Sequence, residues 1–239
     1  MRKRFQSQEN NAKKLATLGE KIPSVVLNNM ILFPGVTSFI LIQNPQSINA
    51  VESSMEQYEG RIFLVIGKDE GGKNKDDIPR NLPLEPGSNI GVVAKINEGS
   101  CYSGNTLKII VETLYRARAN KWTFQDGYYL ANVEPIYFLH KHKSIVEKRK
   151  LRVLRSIILK EFETYIVEGE RGPFEVITQA KNIQTYEEFS FFISSHIILN
   201  HKEKQSLLET LYILEFMEKT LKILFRENRV ISEEQGIVN

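Results

Sequence analysis

The spacing of the apolar residues changes near Pro135, and this change constrains the fold more than any other feature of the chain. Before Pro135 the apolar residues form short runs bounded by Gly, Pro, Asn and Asp, a pattern typical of strands and turns. From Ser144 onward they recur every three or four residues, as on one face of a helix. The sequence therefore predicts an α+β protein, in which a β-rich, partly closed barrel lobe precedes an α-helical bundle lobe.

The apolar runs of the first half predict short strands and a single helix. The helix prediction covers residues 47–58, with Ser47 as its expected N-cap. The Asp126-Gly127 pair between two apolar runs is a strong signal for a β-hairpin. The strand predictions cover residues 36–42, 61–66, 91–96, 106–112, 116–124 and 128–134.

Composition divides the chain into four predicted segments. The start of the chain holds six Lys and Arg residues against two Glu residues, which is typical of a mobile polar tail. Residues 67–89 are rich in Gly, Pro, Lys and Asp and predict a long loop. The predicted segments are a flexible basic tail (1–21), a β-rich lobe (22–138), a helical bundle lobe (139–228) and a frayed end (229–239).

The helical half contains three apolar stripes, and each stripe needs a packing partner. The glycines and proline of residues 169–173 end the first stripe. The three stripes are Leu151, Leu154, Ile158, Phe162 and Tyr165, then Tyr186, Phe189, Ile193 and Ile197, then Leu207, Leu211, Leu214, Met217, Leu221 and Leu224.

Charge and cysteine content narrow the function classes. The chain has 239 residues and a formal net charge of +3, which is far below the basic excess of a typical nucleic-acid binder. Its single cysteine, Cys101, cannot form an intramolecular disulfide, so the reducing cytoplasm is the expected compartment. No apolar run approaches the roughly 18 residues of a membrane span, and we expect no membrane partner.

No segment of the chain carries a recognisable catalytic, cofactor or metal motif. The Gly67-Lys68-Asp69 sequence lacks both the upstream glycine and the Ser or Thr of a P-loop. The histidines, among them His140 and His196, are not accompanied by the Cys or carboxylate cluster of a metal site. We therefore predict no catalytic residue, no bound cofactor and no metal within these residues.

Four segments of the chain form an ordered set. They are LNNMILFPGV (27–36), GVVAKI (91–96), IIVETLYRARA (109–119) with YYLANVEPI (128–136), and KEKQSLLETLYILEFMEKTLKIL (202–224). In this order and spacing the set resembles the amino-terminal region of the Lon family of ATP-dependent serine proteases. The resemblance covers most of the chain, from about residue 22 to residue 225.

The resemblance implies a lobe like the pseudouridine synthase and archaeosine transglycosylase (PUA) fold, followed by a helical lobe. In the family these lobes recognise unfolded or damaged proteins and help to assemble a hexamer. It also implies that ATP, magnesium and the Ser-Lys peptidase dyad belong to domains beyond this region. Three positions depart from the family pattern: Asn28-Asn29 replaces an Arg-Asp pair, and Thr113 replaces a glycine.

The Phe33-Pro34-Gly35 corner is the predicted binding segment for such substrates. An apolar corner is either buried structure or a contact surface, and the sequence leaves both alternatives open for Phe33. Unfolded chains differ from folded ones in their exposed apolar surface, so a receptor needs an apolar patch of its own. The predicted substrate-binding residues are Met30, Ile31, Phe33, Pro34, Gly35 and Val36.

Two other functions compete with this interpretation. Basic and aromatic residues interleave from Tyr115 to Trp122, so Arg116 and Arg118 are candidates for nucleic-acid contacts in a stand-alone PUA-like adaptor. The apolar stripe of residues 207–224 is a candidate surface for packing against a neighbouring subunit. Nucleic acid is the less favoured partner, because the whole-chain charge is nearly balanced.

Overall fold

A computed structural model describes residues 19–28, 30–68, 85–97, 101–103, 106–140 and 144–238 of the chain. Contacts cluster into two compact units, Met1–Ile136 and Tyr137–Asn239. The strands are β1 (Glu20–Leu27), β2 (Thr37–Ile42), β3 (Arg61–Ile66), β4 (Ile90–Ile96), β5 (Cys101–Ser103), β6 (Thr106–Gln125) and β7 (Tyr128–Pro135). The helices are α1 (Pro45–Gln57), α2 (Ile145–Val167), α3 (Glu175–Asn182), α4 (Tyr186–His196), α5 (His201–Glu209) and α6 (Ile213–Val238).

Five strands of the first unit close into a ring. Strand β1 pairs in parallel with β3 and antiparallel with β7. Strand β4 links β3 to β6, and β6 pairs with β7 to complete the circle. Strands β2 and β5 lie outside the ring and pair with β6. The α+β class and the partly closed β-rich lobe are therefore confirmed.

Strand β6 is one continuous strand where the sequence predicts two. It spans 20 residues because no turn signal separates the two apolar runs. Val93 of β4 lies opposite Tyr115, and Ala94 lies opposite Thr113, so Leu114 is the extra residue of a β-bulge. A second register shift occurs after Ala119. Bulges bend a strand, and the bends let β6 pair with β2, β4, β5 and β7 along its length.

Helix α1 begins earlier than the sequence predicts. Asn44 is its N-cap, and the Asn44 side-chain oxygen accepts a hydrogen bond from the backbone N–H of Gln46 at 2.9 Å. Pro45 occupies the first turn, where its missing N–H is not needed. The prediction of Ser47 as the cap is wrong, because Asn44 caps a helix as well as Ser does and is followed by Pro45, which suits the first helical turn.

The predicted hairpin between β6 and β7 is confirmed. Asp126 and Gly127 join the two strands, and their φ angles are 51° and 79°. Two positive φ angles in a two-residue loop define the type I′ turn that matches the twist of a hairpin.

The first unit buries apolar side chains on both faces of its sheet. One cluster of buried side chains packs β2 and α1 against the ring. The other cluster includes alanines and valines of β6 and β7. Gly91 is required in this core, because a Cβ atom there would lie 2.2 Å from the Leu64 carbonyl oxygen and 2.9 Å from the Phe63 ring.

The second unit is a bundle in which α2 packs along α6. Phe162 and Tyr165 of α2 are fully buried, and the Tyr165 hydroxyl accepts a hydrogen bond from the Ile198 N–H at 2.9 Å. Burial raises the pKa of Tyr165. The Phe138 ring stacks on Phe191, with 5.2 Å between centroids.

The third apolar stripe is not one helix. Helix α5 ends at Glu209, and the Leu139 N–H donates to the Leu211 carbonyl at 2.8 Å, so a short β-bridge interrupts the helical path before α6. Helix α6 then continues to Val238. Residues 229–238, for which the sequence predicts a frayed end, are helical in this structure.

Candidate functional site

The predicted binding corner is held mostly inside the first unit. Phe33 is 1% exposed and Ile31 is 6% exposed, so neither side chain offers a surface to a ligand in this conformation. Met30, Pro34 and Val36 are half-buried and Gly35 is exposed, which leaves a narrow apolar margin at the surface. The alternative that the sequence left open for Phe33 is resolved by its burial in favour of the core.

Thr113 fixes the geometry of this corner. Its hydroxyl donates to the Phe33 carbonyl at 2.7 Å and accepts from the Val36 N–H at 2.8 Å. The Thr113 backbone also accepts from the Gly35 N–H and donates to the Val36 carbonyl, each at 2.9 Å. Gly35 has a φ of 83°, which the redirection of the chain requires and which glycine adopts without strain. Thr113, which replaces a glycine of the family pattern, thus has a structural role of its own.

An exposed apolar surface near the corner lies on the next strand. Phe39 and Leu41 of β2 are each 60% exposed, whereas Ile40 and Ile42 between them are buried. Ile110 of β6 lies opposite Phe39 in the sheet. We call the surface formed by Phe39, Leu41 and Ile110 the outer face of β2.

A cation partly covers the outer face of β2. Lys108 of β6 lies opposite Leu41, and its ammonium nitrogen is 5.2 Å from the centroid of the Phe39 ring. Glu112 lies opposite Thr37 at the other end of the strand pair. The face therefore combines exposed apolar side chains with one charge of each sign, and the Lys108 ammonium lies over the Phe39 ring.

The sequence interpretation missed Phe39 and Leu41 because every residue of the run Phe39–Ile42 is apolar. Such a run does not show which alternate positions face the core. The available signal lay in β6, where Lys108 and Glu112 alternate with the buried Ile109 and Val111. The outward phase of β2 follows from β6 only when the pairing register is known.

The candidate nucleic-acid strand does not present both of its arginines to solvent. Arg116 is 2% exposed, and burial lowers its pKa to about 10. Arg118 is half-buried, and the Trp122 indole N–H donates to the Asn89 side-chain oxygen at 2.9 Å. The buried Arg116 therefore does not present its guanidinium to nucleic acid, contrary to its place among the candidates.

Two histidines of the described residues, His140 and His196, have structural surroundings. His140 Nδ1 lies 3.8 Å from the Glu147 carboxylate, and His196 Nδ1 lies 2.8 Å from the Phe192 carbonyl oxygen. Among the residues that the structure describes, no three His, Cys, Asp or Glu residues are grouped so that they could hold a metal ion. In the same part of the chain, no helix combines the length and the apolar character of a bilayer span. The side chain of Cys101 lies outside the described residues.

A ring of strands with β2 attached outside it, followed by a helical bundle, places the chain in a class of two-unit α+β domains. Residues 21–226 match the family model described as the ATP-dependent protease La (LON) substrate-binding domain. The chain therefore belongs to the LON substrate-binding domain family, and the family resemblance seen in the sequence is confirmed.

Several relatives carry the name Lon protease. The chain is 26% identical to the Lon protease of Desulforamulus reducens over 218 residues, which is 91% of this chain and 25% of the relative. It is 28% identical to the Lon protease of Buchnera aphidicola subsp. Baizongia pistaciae over 219 residues, which is 92% of this chain and 26% of the relative. The chain thus spans about a quarter of the length of the curated relatives it matches.

Solved structures of Lon amino-terminal domains share the fold. The domain from Mycobacterium avium complex matches with a TM-score of 0.65 and 16% identity, over 86% of this chain and 98% of the solved chain. The domain from Xanthomonas campestris matches with a TM-score of 0.50 and 13% identity, over 85% of this chain and 98% of the solved chain. At these identities the likeness concerns the fold alone.

Proposed function

We propose that this chain binds exposed hydrophobic segments of unfolded or damaged proteins, and that the outer face of β2 is the contact surface. The observation that carries the proposal is the 60% exposure of both Phe39 and Leu41, two large apolar side chains on one face of a strand. Apolar patches of this kind on a stable domain mark interaction sites.

The chemistry of the face suits recognition without a strict sequence requirement. A folded protein hides most of its large apolar side chains, whereas an unfolded one presents them. Burying Phe39 and Leu41 against such a segment would contribute about 1.5–3 kcal/mol each before the cost of association. A single contact of this size is weak, and several copies in one assembly would strengthen it through effective concentration.

The residues of the corner have a supporting place in this proposal. Met30, Pro34 and Val36, with the exposed Gly35, form the margin of the contact surface. Phe33 lies behind them and, through Thr113, fixes the position at which β2 begins. Substrate contact is thereby assigned to the margin and to β2 rather than to the buried side chains.

The proposal also concerns the longer protein to which this region would belong. We infer that the chain serves as the recognition region of a Lon-type protease in cytoplasmic protein quality control. ATP and magnesium would act in an ATPase domain, and a Ser-Lys dyad would cleave the substrate. Both would lie outside these residues. The remaining domains of a Lon-type hexamer would then be the assembly partner of this region.

The test is a double substitution, Phe39→Ser with Leu41→Ser, in the full 239-residue chain. A matched control replaces Phe174 and Ile198 with Ser, because these side chains of the helical unit are 60% and 56% exposed. Affinity for a reduced and alkylated model protein would be measured by fluorescence anisotropy, and circular dichroism would verify folding.

We expect the β2 variant to bind at least about tenfold more weakly, since it loses two apolar contacts. The control should bind within about twofold of wild type, because exposed substitutions away from the site leave its contacts intact. Unchanged affinity in a folded β2 variant would contradict the proposal, as would an equal loss in the control.

A further inference from the structure

Strand β2 has one neighbour among the described residues. It pairs antiparallel with β6 along its whole length, and it stands at the end of the strand order. The ring strands β1, β3, β4, β6 and β7 each have a neighbour on both sides. The outward edge of β2 is therefore open along the whole strand in the described part of the first unit.

The pairing register shows which backbone groups face that edge. Val36 lies opposite Thr113 when the register of β2 and β6 is extended by one residue. The Thr113 N–H donates to the Val36 carbonyl at 2.9 Å, so this is a hydrogen-bonded pair. In an antiparallel ladder such pairs alternate with non-hydrogen-bonded pairs. Ser38, Ile40 and Ile42 therefore direct their N–H and C=O groups toward β6.

A second contact gives the same assignment of backbone directions along β2. Ile110 lies opposite Phe39, and the Ile110 carbonyl accepts from the Asn97 N–H at 2.8 Å on the far side of β6 from β2. Ile110 and Phe39 thus form a non-hydrogen-bonded pair, in which each residue directs its backbone groups away from the other. Thr37, Phe39 and Leu41 consequently direct their N–H and C=O groups toward the open edge.

The same three residues carry the outward side chains of β2. Phe39 and Leu41 are exposed apolar residues, and Thr37 is exposed as well. The Ser38 hydroxyl lies 3.5 Å from the Phe39 carbonyl oxygen, at the limit of a hydrogen bond and easily displaced. Backbone hydrogen-bonding groups and apolar side chains are therefore presented together on one strand.

We propose that the open edge of β2 takes up an extended apolar segment of an unfolded polypeptide as an additional antiparallel or parallel strand. This inference rests on the proposed function for the identity of the ligand. Its basis is the coincidence of an unpaired edge with an apolar face, which is the arrangement that β-strand addition uses. Backbone pairing gives affinity without a sequence requirement, and it selects unfolded chains because strands of folded proteins are already paired.

The charges around the edge favour the same occupant. Lys108 and Glu112 stand at opposite ends of the outer face and balance each other. A strongly acidic or strongly basic segment would meet a like charge at one end, whereas a neutral apolar segment meets none. The edge therefore suits the uncharged stretches that fold into the cores of other proteins.

Amide hydrogen exchange followed by NMR tests the pairing directly. In the free chain, the amides of Ser38, Ile40 and Ile42 should exchange slowly and those of Thr37, Phe39 and Leu41 rapidly. Addition of a reduced and alkylated model protein should slow exchange at Thr37, Phe39 and Leu41 at least about threefold.

A proline substitution gives a second, independent measurement. Thr37→Pro removes an N–H that points to the open edge and no hydrogen bond to β6, a position that edge strands tolerate. We expect it to weaken binding about three- to tenfold, the equivalent of one lost hydrogen bond. The matched control Thr37→Ala keeps the N–H and should bind within about twofold of wild type.

The outcomes separate this inference from the proposed function. No binding by the wild-type chain would overturn both. Normal binding without protection at Thr37, Phe39 and Leu41 would overturn strand addition and leave an apolar surface contact. Slow exchange of these three amides already in the free chain would also overturn it, because the edge would then be occupied by the chain's own tail or by a second copy.

Discussion

The hydroxyl of Thr113 lies 2.7 Å from the carbonyl oxygen of Phe33, and this contact joins the bulged strand β6 to the corner that precedes β2. The same hydroxyl accepts from the Val36 N–H, so one buried side chain satisfies two backbone groups at a sharp change of chain direction. Thr113 is 1% exposed, and water cannot replace it.

Thr113→Val should destabilise the chain by about 1–3 kcal/mol, because it removes the hydroxyl that donates to the buried Phe33 carbonyl and accepts from the Val36 N–H. Thr113→Ser keeps the hydroxyl and should cost about 1 kcal/mol or less. Urea unfolding gives the free energies, and exchange of the Val36 amide reports on the corner itself. Faster Val36 exchange in the Ser variant as well would show that the hydroxyl does not hold the corner.

Truncation of Phe33 and truncation of Phe39 should differ strongly in their effect on the free energy of unfolding. Phe33→Ala removes a side chain that is 1% exposed and should lower the free energy of unfolding by about 3–5 kcal/mol. Phe39→Ala alters a side chain that is 60% exposed and should change it by about 0.5 kcal/mol or less. Thermal unfolding of both variants checks this contrast, and equal effects would contradict the assignment of Phe33 to the core.

Gly91→Ala should destabilise the ring. The added Cβ would lie 2.2 Å from the Leu64 carbonyl oxygen, and a backbone atom in the adjacent strand cannot move aside cheaply. We expect a loss of about 1–3 kcal/mol, as for other overpacked sites. Gly236→Ala in α6 is the matched control, since its Cβ meets nothing within 4 Å. A stable Gly91 variant would show that β3 and β4 can separate without loss.

The stability of the helical unit should depend on pH through Glu203. The Glu203 carboxylate pairs with Arg226, and that hydrogen bond lowers the pKa of Glu203. A lowered pKa in the folded state gives stability above the pKa of the unfolded state, about 4.3, and this stability is lost as pH falls through the folded pKa.

Glu203→Gln keeps a side-chain acceptor for the Asn200 N–H, which closes the cap of α5, but removes the charge. We expect a loss of about 0.5 kcal/mol at pH 7, because Arg226 is half exposed and solvent weakens the pair. The difference from wild type should shrink in acid. Urea unfolding at several pH values measures it, with the exposed Glu218→Gln as control. A difference that does not vary with pH would exclude a contribution from the charge.

Much of the fold is visible in the sequence because local signals and packing agree. The run Arg61–Ile66 forms a strand over the predicted residues, since it is apolar, β-rich and bounded by glycine on both sides. The Asp126-Gly127 turn follows from the positive φ angles that only a few residue types accept. Apolar spacing likewise locates the buried face of α2 at Leu151, Ile158 and Phe162.

The remainder depends on contacts between residues distant in sequence. The bulge at Leu114 arises from the register of β4 against β6, which no local pattern encodes. The break between α5 and α6 depends on the bridge from Leu139 to Tyr212, 73 positions apart along the chain by their residue numbers. The outward phase of Phe39 is set by pairing with Ile110, so the candidate site emerges only with the sheet.

Because β2 lies outside the ring, the feature that would bind unfolded proteins is also one that lowers the solubility of the chain. An open edge with an apolar face is also the feature by which concentrated proteins aggregate. A charged residue in place of Phe39 or Leu41 would improve solubility during purification. The same change would weaken binding to unfolded proteins. We therefore expect variants selected for high solubility to accumulate substitutions at β2 and to lose binding, whereas variants selected for thermal stability should change the ring and leave β2 intact.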